Sequence, residues 1–254
     1  MHPQILHLGR LILPTFGVLA ALGLMSALAL SLRTAAFVGL NPDRIWNAGL
    51  FSLLAAFFLS RFLLVVTNLH SFLTYPFLLL AVPSLTPIGV LLTALATLLY
   101  LWLLQIPILQ TFDAWAPCAT LTWAFLALGH FAEGSDPGLT TAVPWAVLSP
   151  TGGAHLHPVA LYAATAAILI TGLLLRQLTR PHRPGDILAL ALATAGAAQF
   201  LITFFREPIP DPGNALTNLL DPIQWVALAM ILAAGLISLR PSHPKLRKPV
   251  SHAL

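Results

Sequence analysis

Three histidines, His130, His155 and His157, are the side chains with which chemistry could begin. Imidazole changes charge near neutral pH and can act as base, acid or metal ligand. His155 and His157 belong to "HLHPVALY", where an uncharged loop turns into a long apolar run. An extended His-x-His pair could present two nitrogens to one metal, with His130 or Glu133 as a third ligand. No HExxH-type helix motif accompanies it, so no metal site and no cofactor are assigned. A plainer alternative makes His157 the residue that precedes a helix with Pro158 at its first position, and leaves His155 in the loop. Tyr162 is either an interfacial aromatic or a hydroxyl lining a polar cavity. Arg61 lies inside an apolar run, where a charge costs about 2.5–3.5 kcal/mol on insertion scales. It snorkels to the outer headgroups, or pairs with an acid of a neighbouring helix, or joins Arg206 in holding an anionic lipid phosphate, which suits a planar guanidinium. No G-x-S-x-G, Walker or dinucleotide-binding motif occurs.

The elements that must position these groups follow from composition. Of 254 residues, 58% are hydrophobic and only 8% charged, against about a quarter charged in a soluble domain. Such a chain cannot cover a water-facing surface, so most of its exterior must face lipid. The net charge of +4 is small and dispersed, which argues against nucleic acid as a partner. Cys118 is the lone cysteine and excludes an internal disulfide. No cleavable signal peptide is evident, so the first apolar segment is expected to remain as an anchor.

Apolar runs long enough to cross a bilayer as helix occur near 11–32, 46–68, 88–110, 113–131, 159–178, 185–205 and 221–240. Asn41-Pro42-Asp43, Arg183-Pro184-Gly185-Asp186 and Asp221-Pro222 are helix-start signals. The stretch 71–83, short and bounded by proline, fits a re-entrant or interfacial piece. The expected fold is therefore an all-α integral membrane protein with about seven transmembrane helices. Residues 1–240 form a single polytopic domain and 241–254 a basic cytoplasmic tail. Charge bias sets direction. Arg33, Arg44, Arg176, Arg180, Arg183, Arg240, Lys245, Arg247 and Lys248 fall on one side, and only Arg10 and Arg206 on the other. The N-terminus is then outside and the C-terminus cytoplasmic. The loops around 69–87, 132–158 and 206–220 face outward, carrying His130, Glu133, Asp136, His155, His157, Arg206, Glu207 and Asp211.

In order along the chain, several stretches resemble the bacterial prolipoprotein diacylglyceryl transferase family. "HPVALY" is similar to its "HPSQLYE", and "PWAVLSP" to its "PWGVxFP". "RPGDILALALATAGAAQFLITFFREP" resembles "RPGxLFxLxLxxYGxxRFxxEFFREP" throughout, "FLSRFLLVVTN" parallels "xGARxxYVLFYN", and "DAWAP" a "DxxxP" element. The resemblance implies a multi-pass protein of the bacterial inner (cytoplasmic) membrane. It also implies a transferase reaction that moves the diacylglyceryl group of phosphatidylglycerol onto the lipobox cysteine thiol of a prolipoprotein. Its partners would be phosphatidylglycerol or another anionic phospholipid, the prolipoprotein signal peptide and the lipid bilayer. Residues carried over are Arg61, Asp113, His157, Pro158, Tyr162, Arg206, Glu207 and Gln224, with glycines including Gly129, Gly134 and Gly138.

Other family positions depart. In a gapless register the family's histidine falls on Pro87 and its key arginine on Ala127. Its asparagine falls on His130, a glutamate on Ser135, and the arginine of "RFxxE" on Gln199. Losing one charge-assisted contact costs about 1.5–3 kcal/mol. The resemblance therefore implies catalytic candidates His130, His157 and Tyr162, and phospholipid-binding candidates Arg61, Arg206, Gln199, Gly129 and Gly134. The alternative is a catalytically inactive family member that binds phospholipid or a membrane partner.

Overall fold

The computed structural model describes residues 4–8, 11–68, 86–149, 152–207 and 220–240. The stretch 71–83, Asp211 and the tail 241–254 lie outside them. Within the described residues seven helices follow one another: α1 Thr15–Phe37, α2 Pro42–Thr67, α3 Pro87–Leu103, α4 Ile108–Glu133, α5 Val159–Leu178, α6 Asp186–Thr203 and α7 Pro222–Ser238. Of these, α1, α2, α5 and α6 are long and apolar enough to cross a membrane, while α3 and α7 are shorter apolar helices. Helix α4 has 26 residues, about 39 Å at roughly 1.5 Å per residue.

The helix starts follow local chemistry. Asn41 accepts the amides of Asp43 and Arg44 ahead of Pro42. Thr86 accepts Gly89 N–H ahead of Pro87. Asp221 and Gln224 form a reciprocal capping box around Pro222. Each satisfies amides that the first helical turn leaves without partners. The break between the third and fourth helices is corrected by the structure. The hydropathy pattern sets it between 110 and 113, yet the chain turns at Leu104–Pro107, with Gln105 in the left-handed region (φ 53°). Pro107 cannot continue α3, and Asp113 is thereby drawn inside α4. Two short strand pairs accompany the helices. Strands β1 Gln4–Leu8 and β2 Leu11–Pro14 pair antiparallel, as do β3 Val147–Leu148 and β4 His155–Leu156.

Helix α4 is central, with α1, α5 and α6 packed on it. Helix α2 packs on α1 and α3, and α7 on α6. Small side chains let the central backbones approach closely: Ala127, Ala163 and Ala164 are buried together with Val159 and Ile202 at the α4–α5–α6 junction. A buried hydroxyl pair, Thr120–Thr171 at 2.8 Å, ties α4 to α5. On the outside, Phe58, Phe62, Leu169, Leu232 and Leu236 are between 63% and 70% exposed. Apolar exposure over whole helix faces is stable only against lipid, so the chain is a helical membrane protein.

One polar contact sets the axial position of the core. Helix α6 begins after Gly185 in the left-handed region (φ 99°) with no side-chain cap of its own. Asp113, fully buried on α4, supplies the cap from the neighbouring helix. Gly185 N–H donates to Oδ2 at 2.6 Å and Leu188 N–H to Oδ1 at 2.8 Å. A carboxylate here satisfies two amides and meets the positive end of the helix dipole.

At the other end of the core, the segment 137–141 is stitched on both sides. Leu139 N–H donates to Phe205 O (2.9 Å) and Glu207 N–H to Pro137 O (3.2 Å). On the opposite flank His157 N–H donates to Leu139 O (3.0 Å) and Thr141 N–H to His155 O (2.9 Å). Gly138 sits at the tightest point, where an added Cβ would run into the His157 carbonyl and lie 2.9 Å from Val159 Cγ2.

Two substitutions test this framework. Asp113→Asn keeps one acceptor but turns an N–H group toward a backbone amide. Thermal unfolding in detergent should show a loss of about 1.5–3 kcal/mol, the worth of a hydrogen bond to a charged group. Gly138→Ala should cost about 1–3 kcal/mol from overpacking, with no comparable loss for Gly172→Ala, where nothing lies within 4 Å of the added Cβ.

Candidate functional site

The C-terminal end of α4, the N-terminal end of α5 and the C-terminal end of α6 meet at the stitched segment. There His157, Tyr162, Phe205 and Arg206 come together. His157 Nδ1 lies 3.2 Å from the Tyr162 hydroxyl. Phe205 stands edge-on to both rings, at 5.1 Å from His157 and 5.9 Å from Tyr162 between centroids. Trp145 Nε1–H donates to the same hydroxyl at 2.7 Å. Indole nitrogen only donates, so that bond occupies a lone pair of Tyr162 and leaves the phenolic proton to be given to His157 Nδ1. In that arrangement neutral His157 carries its own proton on Nε2.

Arg206 is held beside this group by backbone and side chain together. Its residue bridges Gly138 across the stitched segment. Its Nη2 donates to Asp136 Oδ2 at 2.6 Å in a half-buried ion pair. Its Nε is buried and has no hydrogen-bond partner among the described residues.

His130, on the last turn of α4, places Nδ1 2.9 Å from Ser135 Oγ and packs against Phe16 of α1 at 4.8 Å between ring centroids. With Nδ1–H donated to Ser135, its Nε2 lone pair is available as a base. Gly134 ends α4 in the left-handed conformation (φ 69°), with its N–H returned to the His130 carbonyl, and so turns the chain toward Ser135 and Asp136. Gly129 serves close packing, since a Cβ there would come within 2.8 Å of the Phe16 ring. His130, Asp136 and His157 line one cavity of about 20 Å³, room for about one water.

Two further candidates lie elsewhere. Gln199 lines an apolar groove of about 400 Å³ with Trp123, Val226 and Met230, apart from the His157 group. Arg61 is buried on α2, with its guanidinium carbon 5.9 Å from the centre of the Phe57 ring, on the flank formed by α1, α2 and α3. Pro87, where the family's histidine falls, opens α3 behind the Thr86 cap. Ala127, where the key arginine falls, is buried in the α4–α5–α6 core. His155 is exposed on β4. Among the described residues no cluster of three or more His, Cys, Asp or Glu side chains could hold a metal ion. Trp145 and Phe205 were not singled out by sequence, and Ser135 stood there only as the position of a departed glutamate. The only pointer to Trp145 was its place in "PWAVLSP".

Comparison with known proteins bears on the same residues. The family model described as prolipoprotein diacylglyceryl transferase matches residues 3–240. A phosphatidylglycerol–prolipoprotein diacylglyceryl transferase of Idiomarina loihiensis is 33% identical over 52% of this chain and 50% of its own length. One of Bordetella parapertussis is 34% identical over 53% of this chain and 52% of its own. The chain thus spans about half the length of these relatives. A protein of the same name from Geobacter sulfurreducens is 31% identical over 81% of this chain and 82% of its own length. On the family match and this last relative, the chain belongs to the prolipoprotein diacylglyceryl transferase family.

Proposed function

We propose that the chain handles phosphatidylglycerol at the outer face of the bacterial inner membrane and transfers its diacylglyceryl group to the lipobox cysteine of a prolipoprotein. The observation that carries this is the convergence of Arg206, His157 and Tyr162 at one end of a helical membrane core in a member of this family. That end is outward if the arginines gathered at the other ends of α1, α5, α6 and α7 are cytoplasmic, as the charge bias requires. The N-terminus is then outside, the C-terminus and basic tail are inside, and all seven helices cross the membrane as one polytopic domain.

The chemistry divides into two tasks. An ordinary cysteine thiol, with pKa about 8.5, needs help to ionise at neutral pH. His130 Nε2 takes the thiol proton while Ser135 holds Nδ1. The thiolate forms a bond to the glyceryl methylene carbon, and the bond from that carbon to the phosphate oxygen breaks. The electron pair leaves with that oxygen as glycerol 1-phosphate. The proton passes from His130 to water or to the departing phosphate, which restores the base.

Negative charge building on the phosphate is the second task, and preorganised donors address it. Arg206 is oriented by Asp136, and His157 is oriented by the Trp145–Tyr162 pair so that its Nε2–H donates. Arg61 supplies a second cation from the α2 flank, and the groove beside Gln199 receives apolar chain. Gly129 and Gly134 set the α1–α4 contact and the turn into the anion site.

One observation favours a second function. Ala127 is packed among Val159, Ala163, Ala164 and Ile202, and a guanidinium there would not fit. A protein that keeps the lipid and signal-peptide surfaces without turnover is consistent with that packing.

The purified full-length chain with labelled phosphatidylglycerol and a lipobox peptide separates the two. Transfer should be measurable and should fall on the order of a hundredfold in Arg206→Gln, the usual scale for removing one anion-stabilising donor, with partial rescue by Arg206→Lys. Trp145→Phe should lower turnover less and leave KM for the lipid unchanged. Binding of both substrates without transfer by the wild type would sink the transferase and leave the binding role standing.

A further inference from the structure

A cavity lies at the opposite end of the core, about 26 Å from His130 along α4 at a rise of about 1.5 Å per residue. It measures about 870 Å³, within the range of roughly 300–1,000 Å³ typical of ligand sites. The last turns of α1 and α7, the first turns of α4 and the α5–α6 connection enclose it.

Its lining is divided by chemistry. Arg180, His182, Arg183 and Arg240 contribute the basic side. Phe37, Val38, Leu109 and Ile237 contribute an apolar side. Asp113 and Asp186 are also present, and backbone amides engage both oxygens of Asp113 and one of Asp186. Asp113 holds Gly185 and Leu188 N–H, and Asp186 Oδ2 accepts Arg183 N–H at 2.8 Å. The Arg206–Asp136 ion pair does not involve the arginines of this cavity. Among the described residues, the three arginines face it without a carboxylate partner. The connecting loop is stiffened by Pro181 and Pro184, and His182 Nδ1–H donates to the Arg180 carbonyl at 2.7 Å. The backbone that carries Arg180 and Arg183 is thus held before any ligand arrives, while their side chains are exposed.

We infer that this cavity binds a phosphate group, with the headgroup of an anionic phospholipid on the cytoplasmic side as its source. Guanidinium forks match phosphate oxygens bidentately, and the apolar side accepts the glycerol and upper acyl carbons that follow the phosphate. Free phosphate would use the basic side alone. The site is separate from the outer-face group and does not depend on transfer activity.

Native mass spectrometry of the full-length chain from micelles containing phosphatidylglycerol or phosphatidylcholine tests it, with calorimetry against inorganic phosphate as a parallel arm. The variant is Arg180→Gln/Arg183→Gln/Arg240→Gln, compared in wild-type and Arg206→Gln backgrounds so that the outer group cannot supply the signal. Retained phosphatidylglycerol should fall about tenfold or more in both backgrounds, the scale of one lost charge-assisted contact. Binding of inorganic phosphate that vanishes in the variant would support the site with free phosphate as the ligand. Arg240→Gln alone, an exposed side chain, gives the same direction of change should the triple variant misfold. Equal retention of phosphatidylglycerol by variant and wild type, or retention of phosphatidylcholine by the wild type as great as that of phosphatidylglycerol, overturns the inference.

Discussion

A carboxylate buried between helices holds the rest in place. In a lipid-facing protein every backbone amide must find its partner within the chain, and α6 begins without a cap of its own. Asp113 answers that need from α4, taking two amides at once. Because both bonds are short and come from one side chain, they fix α4 and α6 along their axes as well as side by side. The position of His130 on one helix and Arg206 beyond the other therefore follows from a contact at the far end of the core. An unpaired charge there would cost several kcal/mol, and the amide pair is what makes a buried aspartate tolerable.

The segment 137–141 does the corresponding work at the opposite end. Its amides and carbonyls are shared between the residues before α5 and those after α6, so three helix ends are joined by main-chain hydrogen bonds without relying on side chains. This leaves side chains free for chemistry. His157, Tyr162 and Arg206 all belong to residues whose backbone is already committed or adjacent to the stitch. The Trp145 and Asp136 contacts then orient functional groups rather than hold up the fold.

Much of this was legible in the residues, for identifiable reasons. Helix starts at Pro42 and Pro222 carry their caps in the preceding residue, so local chemistry reveals them, whereas the Thr86 cap ahead of Pro87 was seen only in the structure. The turn at Leu104–Pro107 was hidden because the apolar pattern runs through it, and only a left-handed Gln105 and a proline mark it. Strands two residues long, such as Val147–Leu148, have no periodicity to read. Ser135 counted as a lost glutamate in the family register, yet it is the hydrogen-bond partner of His130. That pairing depends on the turn at Gly134, which no spacing rule gives. Arg180, Arg183 and Arg240 read as charge bias alone, since their gathering around one cavity depends on three separate helix ends meeting.

The Asp113 bridge also divides the bundle mechanically. Sliding α4 against α6 would break two ionic hydrogen bonds together, whereas parting α1 from α4 near Phe16 and Gly129 separates mainly dispersion contacts. Relative sliding of α4 and α6 is thus resisted by polar bonds, whereas α1 is held on α4 by close packing along a long shared face.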